Sequence, residues 1–513
     1  MTPIWTTLAL CLSQIIATEA ATVSIPSKPP PGTSKIIDHG FAGVAMKSFS
    51  WPNYTDAFSQ NLYNAISTRT GTDLIIRVGG TGMDHTIYDL NQKEAIFLPK
   101  GMNNGLKSNS TLGTAWFDTF AKLKNVRFII QFGFARDHGN NITEAVGYVK
   151  HAIDRMGGCD SGKLVAVELG NEPNLYVRQK ARNESYTVDG YIHEAKRFMD
   201  ALQGNISCLR EGRKFQVWQK SSTNEVAAWS TEAFMDKASK VLDFSKIKTV
   251  SQHFYATQDS NNLEKTLLNH TFTTSRTDGF FKHPNFLVQN KYKNLGADFT
   301  IDEVGNAAVK GSDEQIRILS KSLGSAVWTV DWMLYAMSVY KNISGINMQQ
   351  GDHMSFAEWT PTALQASWYG HVFVADFIGN NTKDNLQVKE LSDLPKKTGN
   401  PHLVGYAGYE HGKLAKVALV NLQFWKGSAD GKRPNATVQL DLAGVRDGTE
   451  VTVRRLTGPN STASQNITWA GLDWPHSKQG QETMVRNDTL RKKVHNSTIE
   501  IAMGATEAFL LTW

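Results

Sequence analysis

Two glutamates in this chain each follow a short apolar run of strand character. Glu172 lies in the segment 164–174, LVAVELGNEPN, and the strand ends there because proline has no N–H and fixes its own φ. Glu303 lies in the segment 297–305, ADFTIDEVG, and residues that break a strand are expected soon after it. Two carboxylates, each at the end of its own strand, are the groups that hydrolysis of a glycosidic bond requires.

The separation of these two carboxylates would decide the reaction that they perform. At about 5 Å, one attacks as a nucleophile while the other serves first as an acid and then as a base, which is a retaining mechanism. The acid must keep its proton near the working pH, so burial or a charged neighbour has to raise its pKa. The alternative is that Glu172 only begins a helix and that Glu303 is a surface acid.

Other polar residues stand at predicted strand ends and could assist the pair. Arg77 ends the strand in LIIRVGG, from which its guanidinium could reach a carboxylate. His253 and Tyr255 lie in SQHFY, where the tyrosine hydroxyl could hold the nucleophile and keep it ionised. Asn171 could donate a hydrogen bond to a sugar hydroxyl. A structural ion pair for Arg77 and a core position for His253 are the alternatives.

Strand-like and helix-like segments alternate from about Phe41 onward, which predicts βα units and a parallel sheet. Helical spacing of apolar residues predicts helices over Tyr54–Thr68, Ile142–Met156, Thr187–Gln203, Thr231–Ala238 and Asp313–Tyr340. The predicted strands are Gly40–Met46, Asp73–Val78, Arg127–Phe132, Leu164–Leu169, Phe215–Trp218, Thr249–Phe254, Asp298–Ile301 and Gly345–Met348. Eight such units close into an α/β fold, the (β/α)8 or TIM barrel, which we place at residues 35–380.

The two ends of the chain differ from the predicted barrel in their pattern of residue types. Residues 21–34 combine a predicted strand, Val23–Pro26, with a proline-rich linker. Residues 381–513 alternate apolar and polar side chains between turns rich in Gly, Asn and Asp, which predicts an antiparallel β-sandwich. Its predicted strands are His402–Glu410, Lys413–Leu422, Ala436–Leu442, Glu450–Leu456 and Ser497–Leu511.

Several features predict a secreted glycoprotein. Residues 1–20 read as a signal peptide because Ile4–Ala17 is apolar but too short to span a bilayer, although no Lys or Arg precedes it. No later segment is long and apolar enough for a transmembrane helix. Glycosylation sequons occur at Asn53, Asn109, Asn141, Asn183, Asn205, Asn269, Asn342, Asn380, Asn435, Asn460, Asn466, Asn487 and Asn496.

Cysteine usage and charge narrow the class of protein further. With Cys11 in the predicted signal, Cys159 and Cys208 remain, and in an oxidising compartment they would form one disulfide. The alternative is two buried thiols. The net charge of +6 is spread thinly over 513 residues, so we expect no nucleic-acid partner. We find no His, Asp or Cys spacing that demands a metal or an organic cofactor.

These motifs together resemble the retaining glycosidases of clan A. Within that clan the chain is similar to glycoside hydrolase family 79, the β-glucuronidases and heparanase-like enzymes, in its fungal type. The shared segments are LGNEPN at 169–174, IDE at 301–303, LGSAVWTVD at 323–331 and TEAFLL at 506–511. The resemblance implies that Glu172 is the acid/base, that Glu303 is the nucleophile, and that the strand Val23–Pro26 joins the C-terminal β-domain.

The resemblance also implies an activity. We expect a secreted hydrolase that removes terminal β-linked glucuronic acid, or 4-O-methylglucuronic acid, from glycoconjugates or polysaccharides, with a carbohydrate as its partner and no cofactor. A clan A enzyme for a neutral sugar and a non-catalytic carbohydrate-binding glycoprotein are the alternatives. The tryptophans at 51, 218, 229 and 359 fall in candidate loops and could stack on sugars, although core packing is their commoner use.

Two departures from the family pattern concern the sugar. Many members carry Tyr-Gly-Gly shortly after the nucleophile, and its amides hold the uronate carboxylate, whereas this chain has NAAVKG at 306–311. Lys47 stands near the end of the first strand, where the family often has a glutamate. Our hypothesis is that Lys47 or Lys310 supplies a positive charge for an acidic sugar. The alternative is that both lysines are solvated.

Overall fold

The structure is a computed structural model, and it describes most of the chain after the predicted signal. The described residues are 22–98, 110–134, 141–257, 262–308, 312–341, 343–352, 354–383, 385–428 and 431–513.

Eight parallel strands close into a barrel in chain order, so that the last strand pairs with the first. This confirms the predicted (β/α)8 fold and each of the eight predicted strands. The barrel strands, numbered one to eight below, are Ala42–Lys47, Leu74–Gly79, Val126–Phe132, Leu164–Leu169, Phe215–Lys220, Ile247–Thr257, Asp298–Ala307 and Ile343–Gln350.

The inside of the barrel changes from apolar to polar along its axis. Ile129 and Ala166 belong to a small apolar cluster that is separate from the main core. Side chains two residues further along a strand lie on the same face, so Gln131 and Glu168 follow them toward the carboxyl ends of the strands. Both are fully buried. A buried polar layer therefore lies directly beneath the mouth of the barrel.

Helices surround the barrel, and the one predicted over 313–340 is divided. It ends at Ser320 and a second helix begins at Leu323, because the N–H groups of Leu323 and Gly324 donate to carbonyls of the C-terminal domain, at Ala463 and Ser461. The helices are Ala57–Thr70, Thr81–Asp84, Thr114–Lys122, Ile142–Arg155, Val188–Asn205, Thr231–Val241, His270–Phe286, Asp313–Ser320, Leu323–Val339, Ser367–Ile378 and Leu394–Thr398.

Two sheets follow the barrel and confirm the predicted C-terminal β-domain. The larger sheet comprises Gln387–Glu390, Leu403–Glu410, Lys413–Asn421, Glu450–Thr457, Thr468–Trp469, Leu472–Asp473, Thr483–Met484, Thr489–Lys493 and Glu507–Thr512. The smaller sheet comprises Thr22–Ile25, Asn435–Leu442 and Thr498–Gly504. The predicted strand 497–511 is thus two strands, because the chain turns at Ala505 and Thr506 and changes sheet. The exact domain boundaries stay predictions.

Further features lie outside the barrel strands. A disulfide joins Cys159 to Cys208, with their Cα atoms 5.5 Å apart. Short strands decorate the loops at Thr86–Tyr88, Ile96–Phe97, Ser110–Leu112, Trp359–Thr360 and Ala363–Leu364. Within the described ranges, we find no helix with the length and apolar character needed to cross a membrane. The predicted signal and Cys11 lie outside those ranges.

Candidate active site

Glu172 follows barrel strand four on a short, tightly bonded stretch of backbone. Gly170 and Glu172 both have positive φ, at 83° and 49°. The Asn171 N–H donates to the Tyr176 hydroxyl and the Glu172 N–H to the Gln219 carbonyl, each at 3.1 Å. The Glu172 side chain is 13% exposed, so its carboxylate reaches the mouth while its backbone is held.

Glu303 lies inside barrel strand seven, which does not end where we predicted. The strand continues to Ala307 because its last residues pair with strand six, Gly305 beside Tyr255. The register shifts between Gln252 and His253, so that His253 stands opposite Glu303. This irregularity turns both side chains toward the mouth.

The structure brings the two glutamates together. A carboxylate oxygen of Glu172, a ring nitrogen of His253 and a carboxylate oxygen of Glu303 all lie within 4.8 Å of one another. Glu303 is held from two sides, by Arg77 Nη1 at 2.8 Å from Oε2 and by the Tyr255 hydroxyl at 2.6 Å from Oε1. Five residues from four different strands therefore surround one point, with Asn171 as the sixth.

Arg77 is the fully buried centre of this cluster. Its Nε donates to both oxygens of Glu168, at 3.0 and 3.2 Å, and its Nη2 donates to Asn171 Oδ1 at 2.8 Å. Burial alone would lower the pKa of Arg77, but the carboxylates of Glu168, Asp302 and Glu303 raise it above its ordinary value. The guanidinium is a fixed positive charge that orients Glu303 and the Asn171 amide.

His253 lies between carboxylates on both sides of its ring. Nδ1 is 3.1 Å from Glu172 Oε1 and 3.9 Å from Glu303 Oε2, and Nε2 is 3.6 Å from Asp302 Oδ1. Burial lowers the pKa of this ring, but Glu303 and the other carboxylates outweigh it and raise the pKa to about 9. His253 is therefore a cation at neutral pH.

These neighbours keep Glu303 ionised. Burial raises the pKa of Glu303, but the positive charges of His253 and Arg77 and the Tyr255 hydroxyl together hold it below its usual value. The pKa of Tyr255 is well above its ordinary value because of burial and the adjacent Glu303 charge, so its hydroxyl stays a donor. An ionised, hydrogen-bonded carboxylate beside an open mouth is what a nucleophile needs.

The sequence analysis did not identify the buried layer beneath these groups. Gln216 Nε2 donates to Glu168 Oε2 and to Asp302 Oδ2, both at 2.6 Å. Burial and the nearby Glu168 carboxylate raise the pKa of Asp302 well above its ordinary value. A signal was present: an acid within an apolar strand, such as Glu168, needs a buried partner, and Arg77 is a basic residue in another such strand.

Lys47 stands at the edge of this group, near the carboxylates of Asp352 and Glu303. It is half-buried at the end of strand one. Burial lowers its pKa, while the carboxylates of Asp352 and Glu303 act in the opposite direction. Asn306, the first residue of the segment that replaces the family's Tyr-Gly-Gly, points into the protein, where its Nδ2 donates to the Ser320 carbonyl at 3.0 Å. Lys310 lies outside the described residues.

Glu172, His253 and Glu303 are also ligand types that bind metals. Arg77 already occupies one oxygen of Glu303, and the raised pKa of His253 keeps a proton on its ring. A cation would have to displace that proton next to the guanidinium charge. The arrangement therefore suits proton transfer and nucleophilic attack better than metal binding.

Comparison with known proteins shows which proteins this chain is similar to. The family model for the glycosyl hydrolase family 79 C-terminal beta domain matches residues 405–510. A beta-glucuronidase of Neurospora crassa is 26% identical over 89% of this chain and 87% of its own length, and one of Aspergillus niger is 25% identical over 96% and 94%. The chain is therefore similar to glycoside hydrolase family 79, through its C-terminal domain and through these two relatives over most of its length.

A solved structure agrees with the family in fold. The 4-O-alpha-L-rhamnosyl-beta-D-glucuronidase of Fusarium oxysporum 12S has a TM-score of 0.78 with 20% identity, over 96% of this chain and all of that one. With the family match and the two relatives, this makes the protein a glycoside hydrolase, on a (β/α)8 barrel with a C-terminal β-domain.

Of the two uses considered for the four tryptophans, stacking on a sugar is excluded for three of them. Trp51, Trp218 and Trp359 are fully buried. Trp218 belongs to barrel strand five, and Trp229 packs parallel to it with ring centres 5.9 Å apart. Core packing therefore holds for these rings: Trp51 also packs against Phe120 and Phe128, and Trp359 against Tyr54 and Trp368.

Proposed function

We propose that this enzyme is a retaining β-glucuronidase that releases terminal β-linked glucuronic acid, or its 4-O-methyl ether. The observation that carries the proposal is the pair of carboxylate oxygens within 4.8 Å, on Glu172 and Glu303. An inverting enzyme needs about 6.5–9.5 Å to fit a water between its carboxyls, whereas a retaining enzyme needs about 5–5.5 Å. The names of the two fungal relatives support the choice of sugar.

The roles follow from the surroundings of each carboxylate. Glu303, ionised beside Arg77 and His253, attacks the anomeric carbon while Glu172 donates its proton to the departing glycosidic oxygen. A water then attacks the glycosyl ester and gives its proton to Glu172, and Glu303 leaves as a carboxylate. His253, 3.1 Å from Glu172, stabilises the negative charge that Glu172 acquires after the first step.

A stereochemical experiment tests this mechanism. Proton NMR of an aryl β-glucuronide during hydrolysis should detect the β-anomer of glucuronic acid before mutarotation. The α-anomer appearing first would contradict the retaining mechanism. A panel of aryl β-glycosides tests the sugar, since turnover of the β-glucoside without the β-glucuronide would favour the neutral-sugar alternative.

Lys47 is our candidate for recognising the uronate carboxylate. Its position at the end of strand one, among the charges that surround Glu303, supports this role. Replacing Lys47 with Ala should lower kcat/KM for the β-glucuronide by about tenfold, the loss of one charge-assisted contact. The same variant should treat a β-glucoside as the wild type does. Unchanged glucuronide turnover would contradict the role of Lys47.

We also propose that the enzyme is secreted. The apolar segment Ile4–Ala17, the disulfide between Cys159 and Cys208, and exposed sequon asparagines such as Asn183 and Asn435 support export. In a fungal host, the enzyme should accumulate in the medium and lose apparent mass when treated with an N-glycan-cleaving enzyme. Retention inside the cells without glycans would contradict secretion.

A further inference from the structure

A buried tyrosine outside the cluster connects the ends of two barrel strands. Tyr191 belongs to the helix Val188–Asn205 and is fully buried. The Trp218 N–H of strand five donates to its hydroxyl at 2.6 Å, and the hydroxyl lies 3.1 Å from the carbonyl of Leu169, the last residue of strand four. One hydroxyl therefore accepts from one strand end and donates to the other.

The same two strand ends meet again at the acid/base. The Glu172 N–H donates to the Gln219 carbonyl, and Gln219 directly follows Trp218. The Tyr191 hydroxyl is also 3.2 Å from Gln219 Oε1. Tyr191 thus contacts both segments that fix the backbone of Glu172, without approaching the carboxylate itself.

The backbone at this junction is strained. Trp218, Gln219 and Glu172 have φ values of 88°, 37° and 49°. A non-glycine residue in this region is strained and persists only where its surroundings hold it. Burial raises the pKa of Tyr191 above its ordinary value, so the hydroxyl keeps its proton and its donor function. Removing this hydroxyl removes a contact that keeps the strained junction in place.

We propose that Tyr191 is a positioning residue, which holds Glu172 in the geometry for proton transfer through the backbone ends of strands four and five. The inference rests on the proposed role of Glu172 as the acid/base. Proton donation matters most when the leaving group is strongly basic, and hardly at all when it leaves as a stable anion. A displaced Glu172 should therefore be detected in the dependence of the rate on the leaving group.

The test measures kcat/KM for aryl β-glucuronides, from dinitrophenyl to unsubstituted phenyl. Tyr191→Phe keeps the ring that packs against Trp218 and Phe234 and removes only the hydroxyl. We expect kcat/KM to stay within about threefold of wild type for the dinitrophenyl substrate and to fall by at least about tenfold for the phenyl substrate. The quantity compared between variants is kcat/KM for the dinitrophenyl substrate divided by kcat/KM for the phenyl substrate. This ratio does not depend on how much of the enzyme is folded.

Tyr186→Phe is the matched control, because its hydroxyl binds Glu194 at 2.8 Å and contacts neither strand end. It should leave the ratio unchanged. Glu172→Ala sets the limit of full dependence on the leaving group. If Glu172→Ala shows no such dependence, the acid/base assignment fails. If Glu172→Ala shows it and Tyr191→Phe does not, only the positioning role fails. If Tyr191→Phe does not fold, Gln219→Ala, which removes the contact to Tyr191, should raise the ratio, and an unchanged ratio overturns the proposal.

Discussion

Two histidines of this enzyme lie between carboxylates, His253 fully buried and His270 partly buried, and they differ in how well their contacts are satisfied. His270 lies between the barrel and the C-terminal sheet, with Nδ1 3.0 Å from both oxygens of Asp331 and Nε2 3.2 Å from Glu390. The Tyr406 hydroxyl donates to Asp331 at 2.7 Å. Each of these distances allows a hydrogen bond, as is usual for buried charges that stabilise a fold.

His253 at the mouth is less well satisfied. Its Nε2 and the Asp302 Oδ1 face each other at 3.6 Å, and neither atom has a hydrogen-bond partner among the described residues. Its other side contacts Glu172 and lies 3.9 Å from Glu303. Similar residues therefore have different roles in the two regions. The charges around His270 connect the barrel to the C-terminal sheet, whereas the charges around His253 remain available for a reaction at the mouth.

Removing a carboxylate from each region should separate these roles most strongly. Glu303→Gln should lower kcat by at least about 10⁴-fold without unfolding the protein, because it removes the proposed nucleophile. Asp331→Asn at the interface should leave kcat of the folded enzyme unchanged and lower the midpoint of thermal unfolding. Steady-state kinetics with circular dichroism measures both. Full activity of Glu303→Gln would end the catalytic assignment.

Replacing each histidine in turn should likewise affect mainly activity at the mouth and mainly stability at the interface. His253→Ala should lower kcat/KM by about 10²-fold, because Glu172 loses the cation beside it. His270→Ala should lower the free energy of unfolding by about 3 kcal/mol, because it leaves the buried Asp331 and the partly buried Glu390 without the cation between them. Denaturant unfolding and kinetics on both variants check this. Similar losses of activity in both would erase the distinction that we draw.

The stability that His270 provides should depend on pH. Its pKa is raised from 6.5 to about 10, because Asp331 and Glu390 outweigh the burial that lowers it. A raised pKa stabilises the fold fully below pH 6.5 and progressively less as the pH rises to about 10. The stability difference between wild type and His270→Gln should therefore shrink across this window. A difference that grows with pH would contradict the sign.

Removing one tyrosine hydroxyl from each region should have the smallest effect on activity. Tyr255→Phe removes a donor that lowers the pKa of Glu303, so the acidic limb of the kcat/KM profile should move up by about one pH unit. Tyr406→Phe removes a hydroxyl bound to Asp331 and should not move that limb. Initial rates across acidic pH decide the matter. Equal profiles for Tyr255→Phe and wild type would show that this hydroxyl does not tune Glu303.

Much of this fold is predictable because strand ends and apolar periodicity are local signals. The strand before Glu172 and the proline after it suffice to place that residue at a mouth. Features that depend on contacts between distant parts of the chain could not be predicted in this way. Strand seven extends past Glu303 because strand six pairs with it. The helix break before Leu323 depends on carbonyls of the C-terminal domain. Spacing alone does not predict that Asp302 and Glu168 share one buried amide.

The most direct test of the central claim is to trap the glycosyl ester. A 2-deoxy-2-fluoro-β-glucuronide with an activated leaving group should inactivate the enzyme with one label per chain, because the fluorine slows hydrolysis of the intermediate more than its formation. Peptide mass spectrometry should find the label on Glu303, whose neighbours Arg77 and Tyr255 prepare it for attack. A label on Glu172 or Asp302, or turnover without any covalent intermediate, would contradict the account.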